Sequence, residues 1–165
     1  MNAALKQLVD KHQSGELPDP SMRDLYRELE AVTPEPLRPV LHDYVRDITI
    51  WDLRVWSVKA DSLANGNYRV AIEVEGAKSR IDTAKKETKV PMSDSVEIEV
   101  RGLSRDGSDS WAELYLKKHL VRTGRQTIVV TVPGKPVRGA IDPHHLLIDR
   151  RGDDLSNNFR AVDSK

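Results

Sequence analysis

The sequence predicts an α+β chain in strict order, N-terminal helices followed by an all-β antiparallel sandwich of about seven strands. Three observations carry that prediction. Apolar residues hold a helical period up to Ile48 and never return to it. From Trp51 onward, short runs alternate apolar and polar residues between turn signals. A helix period that stops once argues for separate α and β segments rather than a parallel α/β sheet.

Taken in order, residues 3–12 read as a short helix with Leu5, Leu8 and Val9 on one side, broken by Ser14-Gly15 and Pro18-Asp-Pro20. Ser21 is placed to cap a second helix, with Asp24 in its first turn and Met22, Leu25, Tyr26 and Leu29 on its apolar face. Thr33 is an N-cap candidate for a third helix, with Pro34 at the first position, where a missing N–H does no harm. Leu37, Val40, Leu41, Tyr44, Val45 and Ile48 then recur at helical spacing. Pro36 and Pro39 predict an irregular first stretch.

Trp51–Trp56 opens the β region. Asn65-Gly66 predicts a two-residue hairpin turn, both residues tolerating positive φ, between a strand ending near Ser62 and a strand over 68–76. Val96, Ile98 and Val100 alternate with Glu97, Glu99 and Arg101, and a loop follows over 104–110. Leu114–Val121 reads as a strand, Thr123-Gly124 as a turn, and Ile128, Val130 and Val132 as an inward face. Pro133-Gly134 leads into a last strand ending near Ile141. Such spacing, with one wet face per strand, fits a sandwich of immunoglobulin or fibronectin type. The boundaries are then a helical linker segment at 1–48, the sandwich at 49–150 and a flexible tail at 151–165.

Lys and Arg balance Asp and Glu at 26 each, so nothing favours a nucleic-acid partner. There is no cysteine and hence no disulfide or thiolate chemistry. No apolar run approaches the roughly 20 residues that span a bilayer, and the first residues lack a signal-peptide core, so the chain reads as soluble.

No catalytic site emerges. His12, His42, His119, His144 and His145 show no His-Glu-x-x-His register, and His144-His145 on a strand would point to opposite sides, so no metal ligand set and no cofactor site is assigned. Nucleophilic catalysis has no recognisable candidate. Glu73/Glu75 and Glu97/Glu99 each share one strand face, which reads as a solvated sheet surface before it reads as an acidic binding face. Trp51, Trp56, Trp111 and Tyr68 read as packing residues before a ligand platform. Arg151-Gly-Asp153 is too short a match to carry meaning. Asp142-Pro143 through Asp149-Arg150 reads as a structural turn. The Asp142 carboxylate is placed to accept following N–H groups, and Leu146, Leu147 and Ile148 to anchor the chain end.

An ordered set of segments carries a resemblance: Leu17-Pro-Asp-Pro20, Asp24-Leu-Tyr26, Val32-Thr-Pro-Glu35, His42-Asp-Tyr-Val-Arg-Asp-Ile-Thr-Ile50, Glu87-Thr-Lys-Val-Pro-Met92 and Ile141-Asp-Pro with Leu147-Ile-Asp-Arg150. It resembles the C-terminal region of bacterial aminopeptidase N-type zinc metallopeptidases, of the kind fused to an ABC-transporter-like permease, over roughly residues 5–154. The tail Asp153–Asn158 departs from the shorter ending of such relatives. The resemblance implies a non-catalytic accessory domain with a packing, orienting or substrate-gating role. It also implies that zinc and catalytic residues lie in an upstream domain of the same polypeptide, and that the parent sits in the bacterial inner membrane. None of the family's zinc ligands is present to be carried over. Leu37, Leu41, Tyr44 and Val45 are then an interdomain face, or the seam of a weak homodimer of the fragment. The alternative is a self-standing fibronectin- or immunoglobulin-like module that binds protein or glycan; fold alone does not separate the two.

Overall fold

In the computed structural model, which describes residues 2–15, 18–103, 111–150 and 158–163, the chain divides into two units. The first comprises Met1–Thr49 with Ile81–Lys86, the second Ile50–Arg80 with Glu87–Lys165.

The first unit is built by its caps and broken by its prolines. Helix α1 spans Asn2–His12 and α2 spans Met22–Val32. Ser21 opens α2 through a complete capping box: its hydroxyl accepts the Asp24 N–H, and the Asp24 carboxylate accepts the Ser21 N–H at 2.9 Å. Lys11 and Glu28, 2.5 Å apart, tie α1 to α2. The third helix departs from its sequence pattern. Thr33 does not start it; its N–H bonds the Glu30 carbonyl and its hydroxyl the Leu29 carbonyl, so it closes α2. Three unlike turns then follow: a 3-10 turn over Glu35–Leu37, an α-turn over Arg38–Leu41 and a π-turn over His42–Arg46, closed by Asp47 N–H to His42 O at 2.8 Å. Pro36 and Pro39 each sit in the first turn of a new segment, where no intrahelical donor is lost. Regular helix therefore does not persist to Ile48, which already belongs to a strand.

The second unit is a two-sheet sandwich. Its strands are β1 (Ile48–Ser62), β2 (Asn67–Ile81), β3 (Glu87–Val90), β4 (Ser93–Leu103), β5 (Trp111–Arg122), β6 (Gly124–Pro133), β7 (Pro136–Ile141) and β8 (Phe159–Ala161). One sheet orders β1-β2-β3, with β6 also on β2; the other orders β5-β4-β7-β8. The tail expected to be loose over 151–165 thus contributes a strand, with Ala140 opposite Phe159 and Arg138 opposite Ala161. Residues 151–157 and the loop at 104–110 lie outside the described residues.

The period-two pattern becomes the core. Val70, Ile72 and Val74 of β2, Ile128, Val130 and Val132 of β6, and Val96, Ile98 and Val100 of β4 all point inward and are buried, with Trp51, Leu53, Val55 and Val58 of β1. Gly139 of β7 permits this closeness: a Cβ there would lie 2.9 Å from the Val58 side chain. The β1–β2 turn is longer than Asn65-Gly66 implied. Leu63 N–H bonds Asn67 O, leaving a three-residue loop in which only Gly66 takes positive φ. The chain changes sheets twice at one corner. There Met92 N–H bonds the Thr123 hydroxyl at 2.8 Å and Thr123 N–H bonds Met92 O at 3.2 Å.

Candidate functional site

Among the described residues, the helical unit leaves several large apolar side chains exposed. Among the described residues, Ala4 is its one buried apolar side chain. Met22 (68% exposed), Leu37 (55%), Tyr44 (53%) and Val40 stand in solvent, while Leu41 and Val45 are half-buried. The π-turn matters here, because such turns break the even angular spacing that an α-helix would give Leu41, Tyr44 and Val45. Of the four residues assigned to an interdomain face, Leu37 and Tyr44 are open and Leu41 and Val45 half-covered. The buried member of this stretch is polar: Asp43, which accepts the Thr49 hydroxyl at 3.4 Å.

Beside this face, Tyr26, Glu30 and His42 form a small polar cluster. The Tyr26 hydroxyl donates to Glu30 Oε1 at 3.0 Å, and His42 Nε2 lies 3.3 Å from the same oxygen. The Tyr26 bond, then His42, holds the Glu30 carboxyl below its usual range; desolvation, then Glu30, pushes the Tyr26 phenol up. Next to the cluster a groove of about 470 Å³ is lined by Met22, Arg23, Tyr26, Arg27, Glu30, Val45 and Arg46. The sequence places Met22 on the apolar face of α2 and gives the arginines no role. Their i, i+4 spacing on α2, beside Met22 and Tyr26, was the available signal.

At the chain's other end, Asp142 sits at φ +47°, a left-handed conformation that Asp tolerates better than most residues. Its carboxylate accepts the N–H groups of Leu146 (3.0 Å) and Leu147 (3.1 Å), and its own N–H bonds Glu97 O. Pro143 follows in the turn. Asp149 accepts the Leu53 N–H at 3.3 Å, and Arg150 donates its N–H to Trp51 O at 2.7 Å and pairs through its side chain with Glu87. These bonds lay the segment along β1. Leu147 alone of the apolar trio is buried; Leu146 and Ile148 are exposed. His144 and His145 lie in this turn rather than on a strand, with His144 Nδ1 2.7 Å from Glu97.

The two acidic strand faces differ. Glu73 and Glu75 lie on an open face, where Arg125 approaches both and Trp56 donates its indole N–H to Glu75 at 2.8 Å. The Arg125 guanidinium stacks 3.7 Å from the Trp56 ring centre, and Arg54 lies at 4.8 Å. Trp51 instead enters the core and bonds Asp94 at 2.7 Å, which also holds the buried Lys78 at 3.0 Å. The Glu97/Glu99 face is not a solvated surface throughout. Glu99 is 1% exposed, paired with Arg101 at 2.7 Å and Arg138 at 3.6 Å. It sits between β5 and β7, opposite Leu116 and Ala140, in a sheet that β8 widens. Trp111's side chain, Asp153-Asp154 and Arg151-Gly-Asp153 lie outside the described residues.

Among the described residues no group of three or more His, Cys, Asp or Glu side chains is disposed to hold a metal ion. No described helix is long and apolar enough to cross a membrane. No family model, curated protein or solved structure matches the chain.

Proposed function

We propose that this chain is a non-catalytic accessory region of a larger, membrane-associated zinc aminopeptidase, and that its helical unit docks on the catalytic part of the same polypeptide. The observation that carries this is the open apolar face of Met22, Leu37, Val40 and Tyr44 in a unit with so little core of its own. Large apolar side chains left in water forgo about 1.5–3 kcal/mol each, which a covering domain would recover. The ordered segments in the sequence supply the family. Zinc and the general base then belong upstream, in a parent held in the bacterial inner membrane. The sandwich orients the helical unit or gates substrate.

We read the sandwich as fibronectin-like. Strand order β1-β2-β6 facing β5-β4-β7-β8 is what strands A, B and E facing C′, C, F and G would give. A second reading, a self-standing protein- or glycan-binding module, rests on Trp56, a partly exposed indole that two guanidiniums approach.

The reading frame upstream of this region tests the two. His-Glu-x-x-His and apolar spans are expected there; a secretory leader or tandem copies of the sandwich would establish the module instead. With the upstream domain expressed separately, this chain should capture it, and Leu37→Glu with Tyr44→Glu should abolish capture while Trp56→Ala should not.

A further inference from the structure

We propose that the groove beside α2 seats an acidic peptide segment bearing an apolar anchor; this rests on reading the helical unit as a docking element and names the chemistry of what docks. The groove is lined by the apolar side chains of Met22, Tyr26 and Val45 and by three arginines, Arg23, Arg27 and Arg46. All three arginines are exposed. The one lining carboxylate, Glu30, is already occupied by the Tyr26 hydroxyl and His42.

The charge here opposes that of its surroundings. Residues 1–49 carry nine acidic and six basic side chains, and three of those six basic residues meet at this groove. Asp24, 3.6 Å from Arg27, is committed to the Ser21 N–H and hydroxyl, and Asp47 stands 3.9 Å from Arg46. Guanidinium forks leave several donors each for incoming carboxylates, and planar bidentate pairing is what arginine does best. A second copy of the chain suits the groove poorly. An isologous contact would bring the same arginines face to face.

The test uses the full 165-residue chain and a fluorescein-labelled peptide of about fourteen residues, roughly four helical turns. It carries Leu at helical spacing and Glu elsewhere; a sister peptide has Lys at every Glu. Anisotropy should show saturable binding of the acidic peptide and at least ~10-fold weaker binding of the sister. Arg23→Glu and Arg27→Glu should each weaken the acidic peptide ~10-fold, with the unfolding midpoint unchanged, whereas Arg27→Lys, which keeps the charge and loses the bidentate fork, should weaken it less than Arg27→Glu does. Equal binding of both peptides, no binding of the acidic one, or indifference to the Glu variants would overturn the proposal. So would preferential capture by phosphatidylserine vesicles, or a dimer in sedimentation that Met22→Glu dissolves. If the acidic peptide fails while the upstream domain is still captured through Leu37 and Tyr44, the groove proposal falls and the accessory-domain reading stands.

Discussion

In the sandwich, Val70, Ile72, Val74, Val96, Ile98 and Val130 are all shielded from water, whereas in the helical unit Met22, Leu37, Val40 and Tyr44 are all open to it. The difference follows from how each element can cover itself. A strand with period two presents one continuous apolar face, and a facing sheet covers all of it at once. The segment over 35–46 instead changes its winding three times, at Pro36, at Pro39 and at the π-turn, so its apolar residues do not line up on one narrow stripe. The sandwich therefore buries its inward apolar face, whereas the helical unit leaves several large apolar side chains exposed.

The comparison breaks most sharply at Glu99. Glu99→Ala leaves Arg101 and Arg138 without their shared carboxylate and should cost about 3–5 kcal/mol, the scale for removing one member of a buried ion pair. Chemical denaturation reads this directly; a loss below about 1 kcal/mol would show that the pair behaves as a surface contact. Asp142→Ala comes next. It removes two carboxylate-to-N–H bonds and places a β-carbon without local hydrogen bonding at φ +47°, so a loss of about 2–4 kcal/mol is expected. Asp142→Asn, which keeps an acceptor and tolerates that φ, should lose less than half as much.

Leu37→Ser and Tyr44→Ser sharpen the contrast from the other side. Being exposed, each should shift stability of the chain by no more than about 0.5 kcal/mol. A loss above about 2 kcal/mol at either residue would mean that it is packed in solution and that no open face exists. The smallest effect belongs to His144. Glu97 raises its pKa, so the protonated ring stabilises the fold; that contribution is complete below the unfolded value near 6.5 and fades as pH rises through the folded one. His144→Gln should lower the thermal midpoint at pH 6 and leave it unmoved near pH 9, measured by calorimetry at matched ionic strength. A pH-independent difference would assign His144 a purely steric role.

Much of the sandwich was legible because its signals are local. Alternation over 68–76, 96–101 and 128–132 depends only on each residue and its near neighbours, and so does the turn at Asp142, whose acceptors reach N–H groups four and five residues on. The exposed apolar stretch was legible in part. The apolar spacing of Leu37 to Ile48 marked the stretch, but the spacing assumed one continuous helix, and the prolines with the π-turn broke it. The groove needed α2 and the His42–Arg46 turn side by side before its lining residues could be seen together.

By itself the sequence determined the order of helices then strands, the inward residues of β2, β4 and β6, and the acceptor role of Asp142. Tertiary structure alone decided that outward-facing Glu99 is buried, that Trp51 reaches Asp94 and Trp56 reaches Glu75, and that Phe159–Ala161 closes a sheet edge. The physical reason is range. Backbone preference and side-chain alternation are set by neighbours along the chain, whereas the covering of an outward residue depends on which distant strand pairs beside it, a choice made by the energy of the whole packed sheet.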